Sequence, residues 1–349
     1  MIRRASTGFG TVDCAAPGTG VIRPARFEDA AGLAELFALA YGNTSHPCRD
    51  SSAIAAGMAL GKERWFVADA GSQLIGCMSA VKHSWNQSAE VSYGVVHPDY
   101  RQSGLGARLV STCARALDKD LLVHYQPRSG SSHRMLCRGG LLGTLVGHDG
   151  ARHIANGIRE FHMFAITRHS TLYGHVAPGA GAASRSGWIR RRAYEPLGVA
   201  PRAGNYPLFC LVGPPGETAG ALFQCIEYPD SNAVEITRSS YGHKETEVAD
   251  SLEPFLSTRG GLAHVSMTVL ADKSRLISRV LSMGFAISAY LPAWFGYRQG
   301  RYDCVMLVRR QFGKRPATNG LEEEVGSLDA AWSVLGEEFR ERATRSAAA

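Results

Sequence analysis

A chain that ends a strand, turns on two glycines and opens a helix within a few residues has few ways to fold, and residues 95–110, VVHPDYRQSGLGARLV, do all three. The apolar run 91–96 reads as a strand, and Pro98 cannot continue its ladder. Gly104 and Gly106 let backbone amides converge without side chains in the way, and residues 107–117 are helical in pattern. A helix that opens on a glycine loop turns unpaired N–H groups and the positive end of its dipole toward an anion, so this turn is suited to a phosphate. The dinucleotide fingerprint requires a further glycine where Leu109 stands, and the nucleotide P-loop requires Gly-Lys-Ser/Thr where Gly106-Ala107-Arg108 stands. Neither pattern fits.

Arg101-Gln102-Ser103-Gly104-Leu105-Gly106 resembles the Arg/Gln-x-x-Gly-x-Gly/Ala coenzyme A signature of the GNAT N-acetyltransferase superfamily, and Val96-His97-Pro98 supplies the Val-x-Pro that precedes it there. The surrounding order of elements is similar too. Val21-Ile22-Arg23-Pro24 leads into the acidic helix start Phe27-Glu28-Asp29-Ala30, with Leu33, Leu36, Phe37 and Tyr41 as an apolar stripe. Residues 65–68 and 74–80 read as a hairpin across Asp69-Ala70-Gly71-Ser72. Residues 121–125 read as a strand, 132–138 as a helix ended by Gly139-Gly140, and 161–167 as a closing strand. Residues 21–176 therefore resemble one complete GNAT domain, an α/β fold with a mixed, mostly antiparallel sheet flanked by helices.

At 349 residues the chain is longer than one such domain needs. Residues 1–20 are small and polar and read as a disordered N-terminus, and 177–204, rich in Gly, Ala, Ser and Arg, reads as a linker. Beyond it, 208–212, 220–228, 233–237 and 264–270 have strand patterns, 273–283 is a helix ended by Gly284-Phe285, and 304–308 is a final strand. This order resembles the later part of a second GNAT fold, but the coenzyme signature does not recur after Pro207. The expected arrangement is a tandem whose second copy, 205–312, is degenerate. In the tail, 313–349, an amphipathic helix over 321–345 carries Leu328, Ala331, Trp332 and Leu335 on one side, suited to docking or to a homodimer.

Charge and composition narrow the function classes. The net charge is +7, yet Arg190-Arg191-Arg192 is the only dense basic run and no aromatic residues interleave with it, which argues against nucleic acid as the partner. Coenzyme A is itself an anion that basic residues attract. No apolar stretch is long enough to span a bilayer and the N-terminus lacks a secretory core, so no membrane partner is expected. Eight cysteines without a Cys-x-x-Cys framework point to reduced thiols in a cytoplasm. The twelve histidines, among them His124, His133, His148, His153 and His162, show no zinc spacing, and no metal is expected.

Acyl transfer to an amine needs the amine neutral, the thioester carbonyl polarised and the leaving thiolate protonated. In the GNAT fold, the resemblance implies, backbone groups at Val95 and Val96 hold the pantetheine and Arg101, Gln102, Ser103, Gly104, Leu105 and Gly106 hold the pyrophosphate of acetyl-CoA or another short acyl-CoA. Glu90, eleven residues before Arg101, stands at the offset of the catalytic glutamate in the histone-acetylating branch, and its alternative reading is a solvated strand-end carboxylate. The family's acid tyrosine is replaced by Leu136, which leaves Tyr125, Cys137, His124 or water to protonate the sulfur. Trp294, Tyr297, Arg298, Arg301 and Tyr302 form a candidate acceptor-recognition cluster, or else a surface hairpin. The expected function is acyl-CoA-dependent N-acylation of a small-molecule amine. The alternatives are an aminoacyl-tRNA-dependent transferase on a similar tandem fold and a non-catalytic acyl-CoA-binding protein.

Overall fold

The computed structural model describes residues 20–42, 48, 50–118, 121–155, 157–167, 175–177, 187–200, 202–218, 222–311 and 314–348. The expected disordered start and most of the glycine-rich part of the linker lie outside the described residues. Two units are formed, each with its own core.

One unit takes the described residues within 20–81, 91–117 and 135–141. It contains β1 (Val21–Pro24), β2 (Glu63–Asp69) and most of β3 (Leu74–His83) and β4 (Ser88–Val96), with α1 (Ala30–Tyr41), α2 (Ser51–Ala59), α3 (Leu105–Arg115) and the end of α4 (Gly130–Arg138). The strands run β1-β2-β3-β4, antiparallel from β1 to β3, with Pro24 opposite Phe66 and Trp65 opposite Ser79. Leu33, Leu36 and Phe37 of α1 pack with Ile54 of α2 on Trp65, Val67, Cys77 and Val95, the expected stripe being buried except at Tyr41. Arg23 joins β1 to the start of α1 and the end of β2 through Asp29 at 2.7 Å and Asp69 at 2.8 Å. Within β4, Tyr93 takes a positive φ of 53°, a conformation that costs a non-glycine residue energy. Its ring, stacked on Trp65 at 5.4 Å, and its carbonyl, which accepts from Cys77 Sγ, hold it there.

The other unit takes the described residues within 82–90, 118–134 and 142–348. Its strands are β5 (Leu122–Tyr125), β6 (Gly143–His148), β7 (His153–Ala155), β8 (Ile158–Glu160), β9 (Met163–Thr167), β10 (His175–Ala177), β11 (Arg202–Ala203), β12 (Glu217–Thr218), β13 (Phe223–Tyr228), β14 (Ala233–Ser239), β15 (His264–Leu270), β16 (Ala286–Tyr297) and β17 (Gly300–Arg310). Its helices are α5 (Glu195–Leu197), α6 (Glu245–Ser257), α7 (Ser274–Ser282) and α8 (Glu322–Ala348). The main ladder runs β5-β9-β6-β16-β17-β15-β14-β13-β12. Within this ladder the pairs with a described register are antiparallel except β14 with β15, which α6 connects as a crossover, and off it β10 pairs in parallel with β11 and β17. In both halves of this ladder the last strand is inserted between two earlier ones: β9 between β5 and β6, and β17 between β15 and β16. The small hairpin β7-β8 stands apart. One core draws Leu122, Val146 and Met163 together with Val269, Leu307 and Trp332.

Several sequence expectations are adjusted. Residues 208–212 form no strand: only Leu211 bridges Val269, because Cys210 and Leu211 amides bond the Ser239 hydroxyl instead of a ladder. The linker region begins at the last residue of β10 and contains β11 and a helical turn that includes α5. The amphipathic tail helix docks within its own unit, on α7 and β16, and buries Leu328, Ala331, Trp332 and Leu335.

Candidate active site

The glycine turn is built as a helix start. Gly104 caps α3 with φ 79°, a left-handed backbone in which only glycine is unstrained, and a Cβ there would meet nothing within 4 Å. Gln102, at φ 64°, is left-handed as well, and residues 101–104 are all exposed. Two left-handed residues at the dipole end of α3 are an arrangement suited to an anion. The local ties leave that end open. Ser103 donates its hydroxyl to Tyr100 O at 2.6 Å, and Arg101 Nε lies 3.5 Å from Val96 O. The Leu105 amide reaches the Ser103 hydroxyl only at 3.4 Å. Leu105 is buried and anchors the helix, as is Val95 on β4, while Val96 is half-buried. Gly106 has a different reason for being glycine: a Cβ there would stand 2.6 Å from Met135 Sδ, so it is a packing contact between α3 and α4.

Glu90 lies on β4, in the other unit, among histidines. His83 of β3 places Nε2 3.2 Å from Glu90 Oε2, and His124 of β5 stacks its ring on His83 at 5.8 Å. One donor atom from each of the three lies within 4.8 Å of the others. Burial pushes the Glu90 carboxyl up, but the His83 hydrogen bond, with the neighbouring imidazoles, outweighs it and holds the group below its ordinary range. Glu90 is thus ionised. His124 is buried, and desolvation brings it down to about 4, so it is neutral. Its tautomer follows from its neighbour: Ser88 donates its hydroxyl to Asn86 Oδ1 at 2.8 Å and therefore accepts from His124 Nε2 at 3.2 Å. Nδ1 of His124 is left as a buried acceptor with no partner.

The hairpin β16–β17 supports this group. Trp294 packs on His124 at 4.7 Å, on Trp85 at 6.3 Å and on Phe164 at 6.0 Å. Arg301 is 6% exposed and gives its donors to backbone: Nε to Ala293 O at 2.9 Å, and the terminal nitrogens to Asn86 O at 3.0 Å and Gln87 O at 3.2 Å. It fixes the turn between His83 and Glu90, and burial lowers its own pKa to about 10. The other three members of the expected acceptor cluster lie elsewhere. Tyr297 rests on Phe209 at 5.4 Å with Arg298 over its ring, and Tyr302 meets Tyr206 at 5.2 Å. The five residues do not converge on one point.

The proposed acids are placed as follows. Tyr125 is fully buried on β5, its hydroxyl 3.2 Å from His133 Nδ1. Cys137 is half-buried near the end of α4, one residue after Leu136. Sequence reasoning missed His83 as the partner of Glu90, and the available signal was its place at the end of one strand of a hairpin whose other strand carries Glu90 near its start. The basic run is engaged locally, with Arg190 on Glu195 at 2.7 Å and Arg191 and Arg192 over Trp188.

Residues 61–134, which hold β2 through most of α4, match the family model described as the acetyltransferase (GNAT) domain. Among solved structures, ribosomal-protein-S5-alanine acetyltransferase from Vibrio fischeri is 17% identical, aligned over 43% of this chain and 92% of its own, with a TM-score of 0.36. A point mutant of the spermidine N-acetyltransferase SpeG from Vibrio cholerae is 14% identical over 42% and 91%, with a TM-score of 0.35. The smu.2055 protein of Streptococcus mutans is 16% identical over 42% and 96%, with a TM-score of 0.36. No curated protein matches the chain. Among the described residues no helix is long and apolar enough to cross a membrane.

Proposed function

We propose that this chain, which carries a GNAT acetyltransferase domain, is an acyl-CoA-dependent N-acyltransferase acting on a small-molecule amine, with acetyl-CoA as donor. The observation that carries the reading is the exposed turn at Gln102–Gly104, with two left-handed residues at the head of α3, whose capping glycine brings no side chain to compete for an anion. The diphosphate of the coenzyme supplies the anion that such a turn suits. Val95 and Val96, at the end of β4, precede it and would line the pantetheine.

In this reading the amine gives its proton to the Glu90 carboxylate, which His83 keeps ionised. The amine nitrogen then bonds to the thioester carbon, the carbon–sulfur bond breaks, and the electron pair leaves on sulfur. Tyr125, wholly buried against His133, serves as a structural hydroxyl, and water protonates the thiolate. Arg301 acts as a positioning residue, because its three carbonyl partners fix the turn that presents His83 and Glu90.

The tandem reading draws support from the repeated strand insertion and from α6, which follows β14 as α3 follows β4. The start of α6 already holds carboxylates. Glu247 accepts the Lys244 amide at 3.0 Å, and Glu245 lies in the same turn, so a pyrophosphate would meet like charge there. One coenzyme per chain is expected. Calorimetric titration with acetyl-CoA, followed by an amine panel assayed for free-thiol release, tests the proposal. No heat of binding, or binding with no thiol release from any amine, would reject the transferase.

A further inference from the structure

Away from Glu90, a second group of histidines is brought together by the hairpin β7-β8 and the turns on either side of it. Asp149 is 2% exposed. Its Oδ1 is fixed by two backbone amides, Ala151 at 2.9 Å and His162 at 3.1 Å, while Oδ2 is buried with no hydrogen-bond partner. The imidazole of His153 places its Nε2 3.5 Å from Oδ2. The His153 and His162 rings lie face to face, centroids 4.0 Å apart and 14° from parallel. One donor atom each from Asp149, His153 and His162 lies within 4.8 Å of the others.

We infer that Asp149, His153 and His162 form a binding site for one divalent transition-metal ion of the Zn²⁺ class. Two neutral imidazoles and one carboxylate are the donor set such an ion takes, with a fourth position left for water or a further ligand. Tetrahedral bonds of about 2.0–2.1 Å separate neighbouring donors by roughly 3.4 Å, and the His153–Asp149 spacing of 3.5 Å already meets that value. The chain has prepared the ligands. Glu160 Oε1 stands 3.1 Å from His162 Nε2, a carboxylate partner of the kind that orients a ligating imidazole. Asn319 and Arg128 hold Glu160 in turn. A bound cation would satisfy the orphaned Oδ2, which otherwise bears the cost of a buried polar atom without a partner.

The full-length protein, treated with a chelator, is titrated with Zn²⁺ alone by calorimetry and with Co²⁺ alone in the visible range. The expected result is one ion per chain and a Co²⁺ band of low coordination number. Asp149→Asn retains an oxygen for the two amides but loses the ligand, and should weaken Zn²⁺ at least 100-fold with an unchanged far-UV spectrum. His153→Gln, on a ring that is 39% exposed, gives a second variant in which folding is not at stake, with the same loss expected. Absence of uptake by the unmodified protein overturns the site. So does wild-type affinity in His153→Gln, or a loss of uptake caused by His83→Gln instead.

Discussion

His83 sets its Nε2 3.2 Å from Glu90 Oε2 across the β3–β4 hairpin, and this contact, with the neighbouring histidines, overrides the tendency of burial to keep Glu90 protonated. Removing it should return the carboxyl toward higher pKa. His83→Ala is therefore expected to move the acid limb of the kcat/KM–pH profile to higher pH, while Glu90→Gln lowers kcat by about 10²-fold, as loss of a general base does. An unmoved acid limb in His83→Ala would separate the two residues.

The two glycines of the coenzyme turn should fail in different ways. Gly104→Val places a branched residue at φ 79°, a strain of about 1–2 kcal/mol, and puts a side chain at the head of α3, so acetyl-CoA affinity should fall steeply. Gly106→Val should act through Met135, whose Sδ stands 2.6 Å from the new Cβ, and Met135→Ala should restore part of the lost stability. Thermal unfolding and coenzyme titration of the three variants distinguish the roles.

Acid should destabilise the fold through His124. Its pKa is 6.5 when exposed and about 4 when buried, so the folded state binds fewer protons than the unfolded one in that window. The stability it contributes is complete above pH 6.5 and is lost as pH falls toward 4, by up to about 3 kcal/mol. Chemical denaturation between pH 7 and 4 should show a smaller loss in His124→Gln than in the unmodified protein.

Asp303 is buried among hydroxyls: it accepts from Tyr290 Oη at 2.6 Å, from Tyr194 Oη and from the Ala293 amide at 2.8 Å. Ala293 has φ 53° at a bulge of β16, and this amide bond helps to hold it. Asp303→Ala should cost about 3–5 kcal/mol, since the Ala293 amide and one of the two tyrosine hydroxyls, which can satisfy only one donor between them at 2.9 Å, lose their acceptor in the interior. Equilibrium unfolding in denaturant measures it, and a loss below about 1 kcal/mol would show that the site relaxes.

A chain cut after residue 177 should not remain soluble. It retains Leu122, Val146 and Met163 but loses Leu307 and Trp332 from the same core, and the edge of β6 loses β16. Soluble yield and size-exclusion profiles decide this, and a monomeric, coenzyme-binding fragment would show that the first half folds alone.

The sequence by itself determined the elements whose signals are local. The Val-x-Pro strand end, the glycine turn and the α3 stripe lie within a few residues of one another, and backbone sterics fix them before any distant contact forms. The strands β1, β2, β3, β5, β14 and β15 are legible for the same reason, as is the apolar face of α8. Helix α6 was not, because Pro254 within it reads as a stop, and β6 was not, because its glycines break the strand pattern. Only the tertiary structure decided what the polar residues do. His83, Glu90 and His124 come from three strands, and Asp149, His153 and His162 from a hairpin and its flanking turns, so no spacing announces either group. The same holds for Arg301, whose exposure to an acceptor or capture by the carbonyls of Asn86 and Gln87 depends on pairings more than 200 residues apart. Charge in the sequence is a property of one residue, whereas its partner and its burial are set by strand order, which exists only once the sheets have formed.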